Sequence, residues 1–549
     1  MIREFKAAGT VLWGKAMAAQ LVVEMEQQHV KRPVIITEKH NLRKAEKAGK
    51  LLTAGYYHSI DLLLVDENHD SYDFLILAGG RSLTDLFRDD PRQKAHFPLS
   101  ADQINEVSGP HSQFLVVDRA LVGGRKPAPG FFRKYAESLT GGLIIDSGME
   151  EIPSSFTYHN KTAVSLGDSS LEKLPRLLSE RGIRKPLLLT DRGIVSVGLL
   201  DFVTAQLEGR PYALFSEIPP DSRIDIVNSL AELYEKESCD GIIAFGGGSV
   251  LDTGKGVWLN VSMGVKDLNS LIGSGFIPTL SIPLIAIPTT SGTGSEVTKV
   301  AVISDPEKGR KMLFNSDNLQ PDHAILDSRL TASLPPFLTS ITGMDAMTHA
   351  VEAFTCIAKN PLSDHLAWTA ICLIRDHLTG AVEDPGNLEH RRALAAASNM
   401  AGSAFSNSMV GLVHTIGHSV GALCHAPHGS CMSVLLPPVL RYNKDTIEPR
   451  LSRLLEAVAG KTVYDQTPAE KRADRTIEEL HGMNLKLKEL TGGRHPSSLK
   501  DIKNREGEPL IREEDFNMIA ETALGDGSII YNPVEARKTD ILAILKEAY

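Results

Sequence analysis

Asp345 and His349 in GMDAMTHAVEAF, with His414 and His428 in GLVHTIGHSVGALCHAPHGS, are the side chains best suited to chemistry. Asp345 and His349 are four residues apart, so on a helix they project from one face, one turn from each other. One carboxylate and three imidazoles suit a divalent transition metal, whereas calcium would be given oxygen ligands only. Such a set is compatible with a closed structural site or with an open catalytic one, which would need a substrate pocket beside it.

A second candidate site lies upstream, where predicted buried parallel strands end in loops rich in glycine and hydroxyl groups. The segment GIIAF leads into GGGS at 246–249, and a helix after such glycines offers free N–H groups to a diphosphate. Asp191 ends the segment LLLTD, where a carboxylate can bind both hydroxyls of an adenine ribose and repel a 2′-phosphate. The loop IPTTSGTGSEVT at 287–298 suits diphosphate, ribose and nicotinamide. Although GGGS alone would also fit a tight strand-to-helix turn, the three features together predict an NAD site.

Length and composition limit the possible classes of function. The 549 residues are too many for one core, and 42% hydrophobic with 23% charged residues is typical of a soluble enzyme. The net charge of -10 disfavours nucleic acid and anionic membranes as partners, and no apolar run reaches the roughly 18 residues that span a bilayer. The N-terminus carries Glu4 and lacks a sustained apolar core, which predicts no signal peptide. Five cysteines without a CxxC pair are typical of a reduced, cytoplasmic protein.

The first part of the chain resembles a shortened copy of the segment that follows it. KRPVIITE at 31–38 matches RKPLLLTD at 184–191, and YDFLILAGGRSLTD at 72–85 aligns without gaps with CDGIIAFGGGSVLD at 239–252. Two prolines, Pro335 and Pro336, mark a break before helical patterns take over. The predicted domains are a degenerate α/β pseudo-domain at 1–150, an α/β dinucleotide-binding domain at 151–330 and an all-helical metal-binding domain at 331–549.

The glycine loop of the N-terminal copy contains Arg81, whose bulk would obstruct close approach of a ligand to the backbone. The copy also has no counterpart of TTSGTGSE. We therefore predict a non-catalytic segment used in packing or assembly. Since an arginine can itself bind phosphate, a regulatory nucleotide site is the alternative.

With these motifs in this order, the chain resembles the iron-containing (group III) alcohol dehydrogenases from about Phe156 to its C-terminus. The resemblance rests on GGGSVLDTGK, IPTTSGTGSEVT, GMDAMTHAVEAF and HTIGHSVGALCHAPHG. It implies a Rossmann-like α/β dinucleotide-binding domain followed by an all-helical metal-binding domain, the dehydroquinate synthase-like architecture. It also implies NAD(H)-linked hydride transfer between nicotinamide C4 and a small primary alcohol or aldehyde. We further predict a cytoplasmic homo-oligomer. The implied metal is Fe²⁺, for which Zn²⁺ or another divalent metal could substitute.

The same resemblance implies roles for individual residues. His418 matches an additional histidine close to nicotinamide and substrate, and we predict it to be a proton relay, with the orientation of a metal ligand as the alternative. Lys255, close to Asp252, could close the phosphate site or form a surface ion pair. The implied metal ligands are Asp345, His349, His414 and His428. The implied cofactor-binding residues are Asp191, Gly247, Gly248, Ser249, Asp252, Thr289, Thr290, Ser295 and Lys311.

Two other enzymes of the same fold remain as alternatives: a glycerol dehydrogenase-like polyol oxidoreductase and a dehydroquinate synthase-like lyase. The lyase binds its metal with one Glu and two His, so the Asp-His-His-His set argues against it. A non-enzymatic regulatory protein would be expected to have lost metal ligands, and all four are present. Because only the second half of the chain carries such a set, we predict one active site per chain.

Overall fold

The computed structural model describes residues 155–549, with gaps at 265–267, 272, 275–276 and 307–309, and six strands within residues 1–154. The chain divides into two compact units, one made of residues 1–6 with 161–549 and the other of residues 7–160. Both the α/β part and the helical part predicted above therefore lie within the first unit.

A seven-stranded sheet forms the centre of the α/β part, in the order β1-β8-β16-β13-β11-β9-β10. From β8 to β10 every pairing is parallel, and β1 joins the edge antiparallel to β8. The strands of this sheet are β1 (Arg3–Lys6), β8 (Ala163–Leu166), β9 (Pro186–Leu189), β10 (Ala213–Phe215), β11 (Gly241–Gly246), β13 (Leu284–Pro288) and β16 (His323–Leu326). The strands β9, β11, β13 and β16 are buried along their whole length, as expected for a parallel sheet covered on both faces.

Successive residues of these strands belong to two different cores, because side chains alternate across a sheet. The helices that cover the sheet are α1 (Leu174–Glu180), α2 (Arg192–Ser196), α3 (Leu200–Ala205), α4 (Ile224–Lys236) and α5 (Gly248–Met263). On β11, Ile242 and Ala244 pack with α4 and α5, whereas Ile243 and Phe245 pack with α1, α2 and α3 on the other face. A smaller sheet, in the order β12-β15-β14, is formed by β12 (Gly273–Ser274), β14 (Val300–Asp305) and β15 (Arg310–Asn315).

The helical part begins at Pro336, directly after the predicted break, and is built around one large apolar core. Its first helix, α6, is buried along almost all of its last 17 residues, so it forms the axis of this part. The helices are α6 (Pro336–Thr355), α7 (Pro361–Glu383), α8 (Leu388–Ser406), α9 (Leu412–Cys424), α10 (His428–Ala459), α11 (Lys461–Gln466), α12 (Arg472–Leu490), α13 (Phe516–Ala523) and α14 (Lys538–Ala548). The longest, α10, bends at Ile447, two residues before Pro449, where a proline prevents continuous helix.

The unit of residues 7–160 contains a four-stranded sheet in the order β4-β3-β5-β6 and a separate antiparallel pair of β2 and β7. Its strands are β2 (Val11–Gly14), β3 (Val34–Glu38), β4 (Asp61–Val65), β5 (Leu75–Ala78), β6 (Phe114–Val117) and β7 (Ser155–Tyr158). β3 and β5 pair antiparallel, whereas their sequence counterparts β9 and β11 pair parallel. Arg81 and the rest of the predicted glycine loop lie outside the described residues, and the origin of residues 1–150 by duplication stays a prediction.

In the part of the chain that the structure describes, the helices are too short or too polar to cross a lipid bilayer.

Candidate active site

The four predicted metal ligands come together from three helices of the helical part. Asp345 and His349 lie one turn apart on α6, His414 lies in the first turn of α9, and His428 is the first residue of α10. One potential ligand atom from each of the four lies within 4.8 Å of the others. The helical spacing noted in the sequence therefore places the first two ligands, and the packing of α9 and α10 against α6 supplies the other two.

The chemistry of these side chains fits a divalent transition metal. Asp345 Oδ1, His349 Nδ1 and His414 Nε2 are buried and have no hydrogen-bond partner among the described residues, an arrangement that is costly unless another group satisfies them. Burial lowers the pKa of His349 to about 3 and that of His414 well below its usual value. Both rings are therefore neutral at neutral pH and offer the lone pairs that a metal requires. His428, whose side chain is 39% exposed, marks the open side of the cluster.

His418 lies one turn after His414 on α9 and stacks on His428, with ring centroids 5.5 Å apart and an interplanar angle of 16°. Its Nδ1 is 2.9 Å from Oδ2 of Asp526, whose Oδ1 accepts the N–H of Ser528. The sequence predicted that His418 lies near the proposed metal ligands and the substrate. Asp526 was missed, because it lies 108 residues further along the chain in a segment without a recognisable motif.

Three neighbouring side chains that could be mistaken for ligands are not members of the cluster within the described residues. His425 is exposed and ends α9 in the left-handed conformation, with φ 55°. Cys431 is buried and Cys424 partly buried, and both are free thiols whose pKa burial raises.

The glycine loop after β11 has the features expected of a diphosphate-binding turn. Gly247 precedes α5 in an extended conformation, so the first N–H groups of that helix face outwards from the carboxyl edge of the sheet. A Cβ on Gly248 would lie 2.8 Å from the Thr293 side chain, and one on Gly247 would lie 3.5 Å from Thr290. The two predicted cofactor loops are thus packed against each other, and Gly248 allows that approach. Ser249 is partly exposed, and its Oγ accepts the N–H of Asp221.

Asp252 and Ser295, both predicted to bind cofactor, bind each other. Ser295 Oγ donates to Asp252 Oδ1 at 2.6 Å, and the N–H of Val302 donates to Oδ2 at 3.0 Å. Both carboxylate oxygens of Asp252 thus hold the second loop and β14 against α5. This contact shapes the cofactor loops, and direct contact of these two residues with cofactor stays a prediction.

The remaining predicted cofactor residues lie around the same edge of the sheet. Asp191 follows β9 and caps α2, since its Oδ1 accepts the N–H of Ile194 at 3.0 Å. Arg192 forms an exposed ion pair with Glu217, at 2.7 Å. Lys311, on β15, has Nζ 3.7 Å from Oδ1 of Asp221.

Thr289 and Thr290 begin the second loop. Thr289 is buried and its N–H donates to the carbonyl of Gly246, whereas Thr290 is partly exposed.

Lys255 fits neither of the two roles considered for it. It is fully buried, and Nζ donates to the Thr298 carbonyl, the Thr298 hydroxyl and the Val300 carbonyl at 2.8–2.9 Å. Burial lowers the pKa of this lysine to about 8. It therefore anchors the end of the second loop from inside.

The second cofactor loop is connected to the metal cluster through α8. Asn399 on α8 donates to Glu296 of the loop at 2.9 Å, and a Cβ built on Gly294 would lie 2.7 Å from Cα of Gly402. At the end of the same helix, Phe405 stacks on His349 with ring centroids 4.4 Å apart. These contacts join distant segments and were not predicted from the sequence.

Comparisons with known proteins agree with this geometry. Residues 161–328 match the family model "Iron-containing alcohol dehydrogenase", and residues 339–549 match "Fe-containing alcohol dehydrogenase family, C-terminal". Alcohol dehydrogenase 4 of Saccharomyces cerevisiae is 32% identical over 385 residues, which are 70% of this chain and 96% of the yeast protein. The NAD-dependent methanol dehydrogenase of Bacillus methanolicus is 33% identical over 385 residues, 70% of this chain and 97% of that protein. The structure of an alcohol dehydrogenase from Oenococcus oeni superposes with a TM-score of 0.66 and 34% identity, covering 71% of this chain and 99% of the other.

Proposed function

Since the chain belongs to the iron-containing alcohol dehydrogenase family and is an NAD-linked alcohol dehydrogenase, we propose that it interconverts small primary alcohols and aldehydes at Fe²⁺. The proposed ligands are Asp345, His349, His414 and His428. The observation that carries this proposal is the convergence of one potential ligand atom from each residue within 4.8 Å. Asp345 Oδ1, His349 Nδ1 and His414 Nε2 are buried there without a hydrogen-bond partner among the described residues. Zn²⁺ binds more tightly than Fe²⁺ to most nitrogen and oxygen sites, so the metal in a purified sample depends on its preparation.

A metal bound there supplies Lewis-acid polarisation of the substrate oxygen. The protein contributes neutral imidazoles, since burial keeps His349 and His414 unprotonated, and Phe405, whose ring covers one face of His349 and keeps water from it. His428 leaves the remaining side accessible to a small substrate.

The hydride is exchanged with NAD(H), which we place on the carboxyl edge of the sheet. The N-terminus of α5, with Gly247, Gly248 and Ser249, takes the diphosphate. Asp191, partly exposed at the end of β9, takes the adenine ribose hydroxyls and disfavours NADP by charge repulsion. Thr289 and Thr290 belong to the second cofactor loop, and Lys311 is proposed to lie near a ribose of the nucleotide. Asp252 and Ser295 hold the loops together.

Oxidation of an alcohol also releases a proton, and we assign its transfer to His418. Nδ1–H of His418 donates a hydrogen bond to Asp526, so Nε2 of His418 is the nitrogen that can accept the proton. With 34% of its side chain exposed, His418 can then pass the proton to solvent. With NAD as the hydride acceptor and His418 as the proton acceptor, both the hydride and the proton lost by the alcohol would be accounted for.

The test pairs a ligand with a neighbouring histidine outside the cluster. In ferrous-loaded protein, His414→Ala should lower kcat by at least about 100-fold, because several kcal/mol of metal assistance is lost, while the Kd for NADH stays the same. His425→Ala, in an exposed residue three before His428, should leave kcat and metal content unchanged. Turnover retained by His414→Ala with NADH binding lost would contradict the assignment.

The two alternative functions are a dehydroquinate synthase-like lyase and a glycerol dehydrogenase-like polyol oxidoreductase. The matched family models and relatives are alcohol dehydrogenases, so the lyase alternative has no support. The polyol alternative concerns the substrate alone, and an NADH-oxidation screen with small aldehydes, 2-hydroxyaldehydes, ketones and semialdehydes, followed by glycerol oxidation with NAD, decides it. Exclusive activity with glycerol would replace the primary-alcohol assignment.

A further inference from the structure

Glu352 lies next to the cluster of proposed metal ligands, on the same helix as two of them. It follows His349 by three residues on α6, so both side chains point from adjacent positions of one face. Only 4% of its surface is exposed. A buried carboxylate is costly unless hydrogen bonds satisfy it, so its partners are informative.

Two partners of the Glu352 carboxylate belong to the first turn of α9. Oε2 lies 2.5 Å from Nδ1 of His414, and Oε1 accepts the backbone N–H of Val413 at 2.8 Å. The first N–H groups of any helix lack partners within the helix. Here Glu352 supplies one from a neighbouring helix, and Asn532 supplies another by accepting the N–H of Leu412 at 3.3 Å.

The residue before α9 explains why these two side chains can reach it. Gly411 is the N-cap and has no side chain to cap the helix itself. A Cβ at this position would lie 3.1 Å from Oδ1 of Asn532 and 3.3 Å from Oε1 of Glu352, closer than most such contacts. The glycine therefore makes room for caps that come from elsewhere in the chain.

Burial raises the pKa of Glu352 to about 7. In its ionised form the carboxylate can only accept hydrogen bonds, so this form fixes which ring nitrogen of His414 carries the proton. An ionised carboxylate next to Nδ1 requires Nδ1–H, which leaves the lone pair on Nε2. That Nε2 is one of the buried atoms without a partner among the described residues, and it belongs to the ligand cluster.

We propose that Glu352 is a positioning residue for the metal centre, which holds His414 in the Nδ1–H tautomer and aims its Nε2 at the metal. This inference rests on the proposed role of His414 as a ligand. Through Glu352, α6 controls three of the four ligands: two that it carries and one that it orients on α9. A carboxylate that accepts a hydrogen bond from a ligand histidine strengthens metal binding by orienting the imidazole and raising its basicity.

Glu352→Gln is a sharp test, because glutamine keeps the shape and loses one acceptor. Its amide has one oxygen and one NH₂ group facing two N–H donors. If the oxygen stays with Val413, the NH₂ faces Nδ1 and favours the opposite tautomer of His414, with a proton on Nε2 where the metal binds. We expect a Kd for Co²⁺ or Zn²⁺, measured by competition with a chelator, that is about 10–100-fold weaker than in the wild type. The visible spectrum of the Co²⁺ form should shift as well.

The matched control is Asp364→Asn, which changes another buried carboxylate of the helical part. Asp364 pairs with Lys359 at 2.7 Å, outside the ligand cluster. We expect this variant to bind Co²⁺ as the wild type does, even if its Tm falls. Equal affinities for wild type and Glu352→Gln would overturn the proposal, and so would equal weakening in both variants. A wild type that binds no stoichiometric metal would instead refute the metal centre itself.

A second measurement needs neither metal nor a stable Glu352 variant. The sample is metal-free wild-type protein labelled with ¹⁵N-histidine, at a pH well above the Glu352 pKa of about 7, so that the carboxylate is ionised. The His414 signal, identified by its loss in His414→Gln, should show a protonated Nδ1 and an unprotonated Nε2. A proton on Nε2 would overturn the proposal. Gly411→Ala should weaken metal binding in the same direction by pressing on Glu352, and unchanged affinity in that variant would count against it.

Discussion

Asp191 caps α2, and we propose that the same carboxylate also binds the adenine ribose. Its Oδ1 caps α2 through the N–H of Ile194, and the side chain is partly exposed at the edge where we place the adenine ribose. The cap depends on an oxygen atom, whereas the discrimination against NADP depends on the charge. A substitution that removes only one of these separates the two functions.

Asp191→Asn keeps an acceptor oxygen for the cap and removes the charge. We expect its KM for NADPH to fall by about tenfold, equivalent to about 1.4 kcal/mol, with little change in Tm. Asp191→Ala should show the same cofactor change and in addition lose about 1 kcal/mol of stability with the cap. Steady-state kinetics with both cofactors measures this, and an unchanged preference for NADH in Asp191→Asn would refute the role of the charge.

At this scale the sequence predicted which side chains cluster, but not the carboxylates that contact them. Asp345 and His349 were recognisable because helical spacing and residue type both point to a metal. Glu352 and Asp526 were missed, since a carboxylate gains meaning only from the histidine that it contacts, 62 and 108 residues away in these two cases. Lys255 was misjudged because nothing in its local pattern distinguishes a buried lysine from an exposed one.

The buried side chain of His495 connects three helices of the helical part, outside the ligand cluster. His495 Nδ1 lies 2.9 Å from Ser340 Oγ on α6, and its Nε2 lies 2.9 Å from Ser433 Oγ on α10. Nε2 is also 3.4 Å from Asn484 Oδ1 on α12. Burial, together with nearby Lys488, lowers the pKa of His495 to about 4. The neutral ring is thus a connector of three helices.

This connector predicts a loss of stability in acid. The unfolded chain binds the His495 proton near pH 6.5 and the folded chain only near pH 4, so the contribution is complete above pH 6.5 and is lost as the pH falls towards 4. The full difference is about 3 kcal/mol. His495→Gln keeps polar contacts without titrating, so its free energy of unfolding should fall less than that of the wild type between pH 7 and pH 5. Equal decreases in urea unfolding of the two proteins would contradict this prediction.

Among the elements, the strands and the change to helices were predicted well. The apolar runs of β9, β11 and β13 are fully buried strands, and α6 starts at Pro336. The pattern could not reveal that Asp252 and Ser295 bond to each other, because this contact depends on how α5 packs against the second loop, 43 residues later. It also could not reveal that the two domains predicted to meet near residue 330 belong to one compact unit.

In the whole molecule, residues 1–150 precede the part of the chain that matches the family models. We propose that they serve packing or assembly in a homo-oligomer. The first strand, Arg3–Lys6, pairs with β8 at the edge of the main sheet, so its removal also exposes a strand edge.

A truncated chain starting at Gly148 tests this role. We expect kcat and the KM for NADH to stay the same, while the sedimentation coefficient shows altered assembly and Tm falls with the loss of the edge strand. Replacing Glu4 and Phe5 by proline in the full chain is the control, because proline removes ladder hydrogen bonds and leaves residues 7–150 in place. Loss of activity in the truncated chain alone would show that the N-terminal segment does more than pack.

The crossing of Gly294 and Gly402 has a consequence for engineering this enzyme. Backbone lies against backbone there, so a Cβ at Gly294 would lie 2.7 Å, and one at Gly402 2.9 Å, from a Cα of the other. One added methyl group would act as a spacer that lifts the cofactor loop from α8, and Phe405, which covers His349, lies on that helix only three residues after Gly402. A substitution at either glycine would therefore shift the second cofactor loop relative to α8 without changing any side chain that we propose to bind cofactor or metal.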